Sequence, residues 1–99
     1  MPKQLMWANV HVPQYPRVRF FIRTPDPNQF FQDVTHRVAK LVVEDQQESG
    51  GYCALLRLDD QDKLVWKTQH PSLQEMKWHA EFEYGLPEDK WIIYNNPAS

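Results

Sequence analysis

The chain has 99 residues, the size of one domain, and 41% apolar with 13% aromatic content gives it enough to bury a core without staples. The 24% of charged residues is close to the globular average and does not indicate disorder, and the single cysteine, Cys53, excludes an intrachain disulfide. A net charge of −2, with a pI near 6.0, runs against the basic excess common in nucleic-acid-binding domains. Apolar runs such as Phe20–Ile22 and Leu41–Val43 fall far short of a membrane span, and the first dozen residues lack the apolar stretch of a secretory signal. These features together set the expectation of a soluble, cytoplasmic protein.

Leu5 to Val12 alternates loosely around Trp7 and reads as a strand that Pro13 and Pro16 break. In Arg17 to Arg23, Val18, Phe20 and Ile22 alternate with Arg17, Arg19 and Arg23, which predicts a second strand, in a hairpin with the first. Asp26-Pro27 reads as a helix entrance, with Asp26 capping the first turn and Pro27 at a position that needs no N–H. Phe30, Val34, Val38 and Leu41 recur at i, i+4, i+8 and i+11. That spacing predicts a helix to about Gln47, stopped by Ser49-Gly50-Gly51.

Tyr52 to Leu58 is a short apolar run, predicted as a central strand, and Lys63 to Thr68 returns beside it after an Asp-rich turn. Trp78, Ala80, Phe82 and Tyr84 alternate as a strand would. Against that, Ser72 and Glu75 have the spacing of a capping box and Gly85 stands where a helix would stop. The helical reading puts Leu73, Met76, Ala80 and Tyr84 on one face, and it is the one adopted. Trp91 to Tyr94 is the last strand. The predicted fold is a single α+β domain over residues 1–99: an antiparallel sheet with two helices packed on one face, in the order β-β-α-β-β-α-β.

The segment from Ser72 to Trp91, SLQEMKWHAEFEYGLPEDKW, resembles the C-terminal end of small bacterial proteins of unknown function, some of them carried on mobile gene cassettes. The shared parts are the capped amphipathic helix, the glycine and the following tryptophan. The resemblance implies a helix there and no activity.

Three glycines cannot build a phosphate-cradling loop, and no serine sits in a nucleophile-elbow context. Cys53 could act as a nucleophile with His11, His36, His70 or His79, but its place inside an apolar strand favours inert packing. His36 falls on the polar side of the predicted first helix and reads as a surface residue. Glu75, His79 and Glu83 form a row at i, i+4 and i+8 that could hold a metal or run acid–base chemistry. Without a second histidine, and with Glu75 used as a cap, a solvated face is the simpler account. Arg17, Arg19 and Arg23 around Phe21 make a basic face. Such a face suits phosphates or carboxylates, or guards an edge strand, and nucleic acid is the minority reading.

Trp78 and Phe82, one turn apart, lie roughly 140–180° from Leu73 at about 100° per residue. A two-layer domain buries one helix face, so this second apolar face needs cover from the C-terminal strand or from another molecule. The sequence therefore points to a non-enzymatic binding or interaction module, a homodimer through the Trp78/Phe82 surface or a partner of another protein, with no cofactor. The alternatives are a small-ligand protein with an aromatic-lined pocket, and a small enzyme or metal site at Glu75/His79/Glu83.

Overall fold

The computed structural model describes residues 3–46 and 52–94. In chain order the strands are β1 (Lys3–Asn9), β2 (Phe21–Arg23), β3 (Phe31–Asp33), β4 (Lys40–Gln46), β5 (Tyr52–Leu58), β6 (Leu64–His70) and β7 (Ile92–Ile93). The helix α1 spans Leu73–Tyr84, between β6 and β7. Five strands form an antiparallel sheet in the order β6-β5-β4-β1-β7, and β2 pairs with β3 in a separate two-stranded ribbon.

The register assigns the faces of the sheet. Met6 opposes Val43, Ala8 opposes Leu41, and Val43 and Leu41 oppose Leu55 and Arg57. Residues directly opposite in an antiparallel pair share a face. This face carries the core, in which Met6, Ala8, Leu41, Val43 and Leu55 are buried with Met76 and Ala80 of α1 and with Leu86 and Trp91 beyond it. Leu73 and Tyr84 pack against the same cluster, as the helical reading of this segment requires. Ser72 Oγ accepts from the Glu75 N–H at 3.2 Å, and Gly85, at φ +64°, ends the helix in the left-handed region that glycine enters at no steric cost.

The first predicted helix does not form, and this overturns the two-helix fold. Residues 30–41 build β3, a 3-10 turn at Thr35–Arg37 and the start of β4, so α1 is the one α-helix among the described residues. The reason lies in the spacing. Phe30, Val34 and Val38 are separated by four, which is a multiple of two as well as about one helical turn, and so suits either period. Five β-branched residues, Val34, Thr35, Val38, Val42 and Val43, then favour extended backbone. β4 pairs with β1 on one side and β5 on the other, and tertiary pairing of that extent outweighs any helical preference. The predicted stop at Ser49–Gly51 lies outside the described residues. Asp26 caps no helix. Its Oδ1 accepts from Asn28 N at 2.9 Å in a turn between β2 and β3.

The predicted hairpin between the first two strands is also corrected. β2 leaves the main sheet and pairs with β3, with Phe21 opposite Asp33 and Arg23 opposite Phe31. Buried Thr35 ties the ribbon down, because its Oγ1 accepts from Phe20 N at 2.8 Å. At the β5–β6 turn, Asp59 Oδ1 accepts from Gln61 N and Lys63 N at 2.8 and 2.9 Å.

Candidate functional site

On the outer side of α1, the Trp78 and Phe82 rings stack with centroids 5.5 Å apart and planes 9° from parallel. The i, i+4 spacing puts them one above the other. Trp78 is 57% exposed and Phe82 38% exposed, so among the described residues the second apolar face of the helix is left partly open. On one flank, the segment beyond the helix closes a small cavity of about 70 Å³, lined by Trp78, Leu86 and Trp91 with Gln74, Lys77, Glu81 and Glu88 around them. Lys77 Nζ donates to Glu88 Oε1 at 2.9 Å and holds that segment to the helix.

The other flank is an open groove of about 390 Å³, lined by Arg17, Trp78, Glu81, Phe82, Gly85 and Pro87. It continues past Arg17 and Phe82 to Pro13 and Tyr15. The Arg17 guanidinium lies over the Phe82 ring, 5.2 Å from its centroid. That contact satisfies the ring's electron-rich face and extends the surface beyond the helix. Tyr15 is the most exposed of the large apolar residues, at 81%. Among the described residues neither Arg17 nor Glu81 has an ion-pair partner, so a cation and an anion line the same groove unneutralised.

The three arginines singled out in the sequence separate. Arg17 joins the aromatic groove. Arg19 Nη1 pairs with Asp33 Oδ2 at 2.8 Å, across to β3. Arg23 lies over Phe30, 5.8 Å from its centroid. The Asp33 carboxyl is held down to about 2 by its hydrogen bonds from Thr35, side chain and backbone, and by Arg19.

The Glu75/His79/Glu83 row does not act as a unit. Glu83 turns under the helix and is buried with Arg57 of β5 in a two-armed ion pair, Nε to Oε1 at 3.1 Å and Nη2 to Oε2 at 2.9 Å. His79 Nδ1 stays 3.9 Å from Glu83, and Glu75 is exposed at the helix start. Among the described residues no group of three or more histidine, cysteine, aspartate or glutamate side chains is placed to hold a metal ion.

Arg57 organises a polar network that sequence reasoning missed. Its guanidinium sits under the Phe20 ring at 4.7 Å, and its Nη1 donates to Thr68 Oγ1 at 3.0 Å. Thr68 Oγ1 in turn meets His70 Nε2 at 2.8 Å, and the His70 and His79 rings lie 4.6 Å apart. Burial first, then the nearby His79 and Arg57, pull His70 down to about 4. The ring is therefore neutral at neutral pH, free to accept from the Thr68 hydroxyl at Nε2. Burial likewise pushes the Tyr84 phenol up to about 12. The one available signal was a lone arginine inside an apolar strand, which must find a buried anion when that strand is covered.

Cys53 opposes His70 in the β5–β6 register, but burial, with Asp45 adding to it, raises the thiol above its ordinary value. A thiol held protonated is a poor nucleophile. His11 and His36 are exposed on other segments, His36 in the 3-10 turn after β3.

Compared with known proteins, the chain matches no family model, no curated sequence and no solved structure. No helix among the described residues is long and apolar enough to cross a membrane.

Proposed function

We propose that the protein is a non-enzymatic interaction module that binds a second copy of itself through the Trp78/Phe82 face of α1. The observation that carries this reading is the exposed parallel stack of two large rings on a folded helix. Leaving such rings in water forgoes about 1.5–3 kcal/mol for a side chain of phenylalanine's size, a large share of a small domain's stability. Tryptophan and arginine are the residues most often found at the energetic centre of interfaces, and here Trp78 and Arg17 flank the same ring.

The choice of a second copy rests on charge. A two-fold interface meets the same patch with itself, so a patch must complement its own rotated image. With two helices antiparallel across such an axis, Trp78 of one copy faces Phe82 of the other. Arg17 and Glu81, without an ion-pair partner among the described residues, are of opposite sign and become each other's partners. A patch of one sign would repel its copy. This one does not.

Sedimentation over a concentration series tests the reading. Wild type is expected to gain mass with concentration, while Trp78→Glu stays a folded monomer, because the new carboxylate would be desolvated without a partner. A wild type that stays monomeric at high concentration overturns the proposal.

A further inference from the structure

The loss of the predicted first helix changes what surrounds the arginines. On that helix Phe30 would have been core, and the basic face would have carried one ring, Phe21. In the ribbon, Phe21, Phe30 and Phe31 are 48%, 57% and 61% exposed. The pairing of Phe21 with Asp33 and of Arg23 with Phe31 puts these four side chains on one face, with Ile22 and Gln32 on the other. Arg23 stands directly across from Phe31 and lies over Phe30, and the Phe30 and Phe31 rings are 6.4 Å apart. Phe30 precedes β3 and is off that alternation, but its ring meets the Arg23 guanidinium at the ribbon's end, so rings and a guanidinium together make a short platform there.

The segment that contains the ribbon is rich in arginine, of which Arg17 belongs to the groove beside α1 and Arg23 to this platform. Residues 17–37 hold four arginines against two aspartates in a chain whose net charge is −2. One aspartate, Asp33, is already neutralised by Arg19 at the end of the platform. Among the described residues Arg23 has no carboxylate partner.

We propose that the outer face of the β2–β3 ribbon, Phe21, Phe30 and Phe31 with Arg23, binds single-stranded nucleic acid, the rings stacking unpaired bases and the guanidinium meeting the phosphate backbone. Every base has a flat π face, so exposed rings on a strand surface take successive bases without reading sequence. Diagonal cross-strand positions such as Phe21 and Phe31 are about 7–8 Å apart, close enough for neighbouring bases of one strand. Arginine supplies both charge and a plane for stacking. A double helix offers no such faces, because its bases are stacked on each other. A lipid surface fits less well, since the ribbon's own tip, Thr24 to Gln29, carries Asp26 and two prolines where an inserting apolar wedge would have to be. The ribbon is held still beneath the platform by the buried Phe20 N to Thr35 Oγ1 bond and by Val34 N donating to Phe20 O at 2.8 Å.

The test is fluorescence anisotropy of labelled oligo(dT) and oligo(U) against the full chain at low salt, with circular dichroism as the check on folding. Binding is expected to both oligonucleotides and to weaken steeply as salt is added. Phe31→Ala should weaken it roughly 5- to 150-fold, the effect of one lost base stack. Arg23→Glu should abolish it. Since both side chains are exposed, neither variant should unfold the chain. The proposal is overturned if wild type binds neither oligonucleotide, if it binds duplex equally well, if anionic vesicles bind and oligonucleotides do not, or if Phe31→Ala and Arg23→Glu bind as wild type does.

Discussion

Glu83 shares a row with Glu75 and His79 in the sequence, yet its carboxylate is buried on the opposite duty, neutralising Arg57. A buried pair of this kind stabilises little against apolar residues of the same volume, but leaving one partner alone is costly. Glu83→Ala should therefore destabilise by about 3–5 kcal/mol in urea titrations, with Arg57 left charged and dry. The double change Arg57→Met/Glu83→Leu should cost less than either single one. A mild effect of Glu83→Ala would mean that water reaches the pair. His70, in the same network, adds a pH dependence of known sign. Its folded value, about 4, lies below the ordinary 6.5, so between those two values the unfolded chain binds the more protons. Stability should fall as pH drops from about 6.5 towards 4, by roughly 1–3 kcal/mol, and His70→Gln should flatten that slope. Equal slopes in wild type and variant would assign the acid sensitivity to other groups.

At the scale of elements, the two predicted helix starts make a pair of opposite outcomes. Ser72 accepts from Glu75 N at the start of a real helix, so Ser72→Ala should cost about 0.5–2 kcal/mol. Asp26 holds an exposed turn, and Asp26→Ala should stay within about 0.5 kcal/mol. Equal losses in thermal or urea unfolding would contradict this assignment. The contrast shows what was legible. Ser72, Glu75 and Gly85 are local signals that act within one turn, and α1 follows them. Tyr52–Leu58 matches β5 because a short run apolar on both faces suits a central strand. Residues 30–41 were not legible, because a spacing of four serves both periods and pairing with β1 and β5 decides between them. The error carried into the sites. It hid Phe30 in an imagined core, and it left the arginines as a single face when the chain distributes them between a groove, an ion pair and a ring. Trp78 and Phe82 were legible, since their angle from Leu73 needs only the helix to be right.

For the whole molecule, the layers explain why α1 is the exposed element. A single helix covers one face of a five-stranded sheet, and among the described residues its outer side meets no further layer. Buried Met76 and Ala80 anchor its inner side, so the outer rings are presented on a fixed support. The groove beside them is lined by Arg17 and Glu81, the two charges that the proposed dimer would bring together. Reversing one of these charges should weaken self-association, and reversing both should restore it, because each copy then again offers one sign to the other. Sedimentation equilibrium of wild type, Arg17→Glu and Arg17→Glu/Glu81→Arg reads this directly. The account predicts a dimer, a weakened dimer and a recovered dimer, in that order. A wild type that is monomeric throughout the concentration range, or an Arg17→Glu variant that dimerises as wild type does, would contradict it.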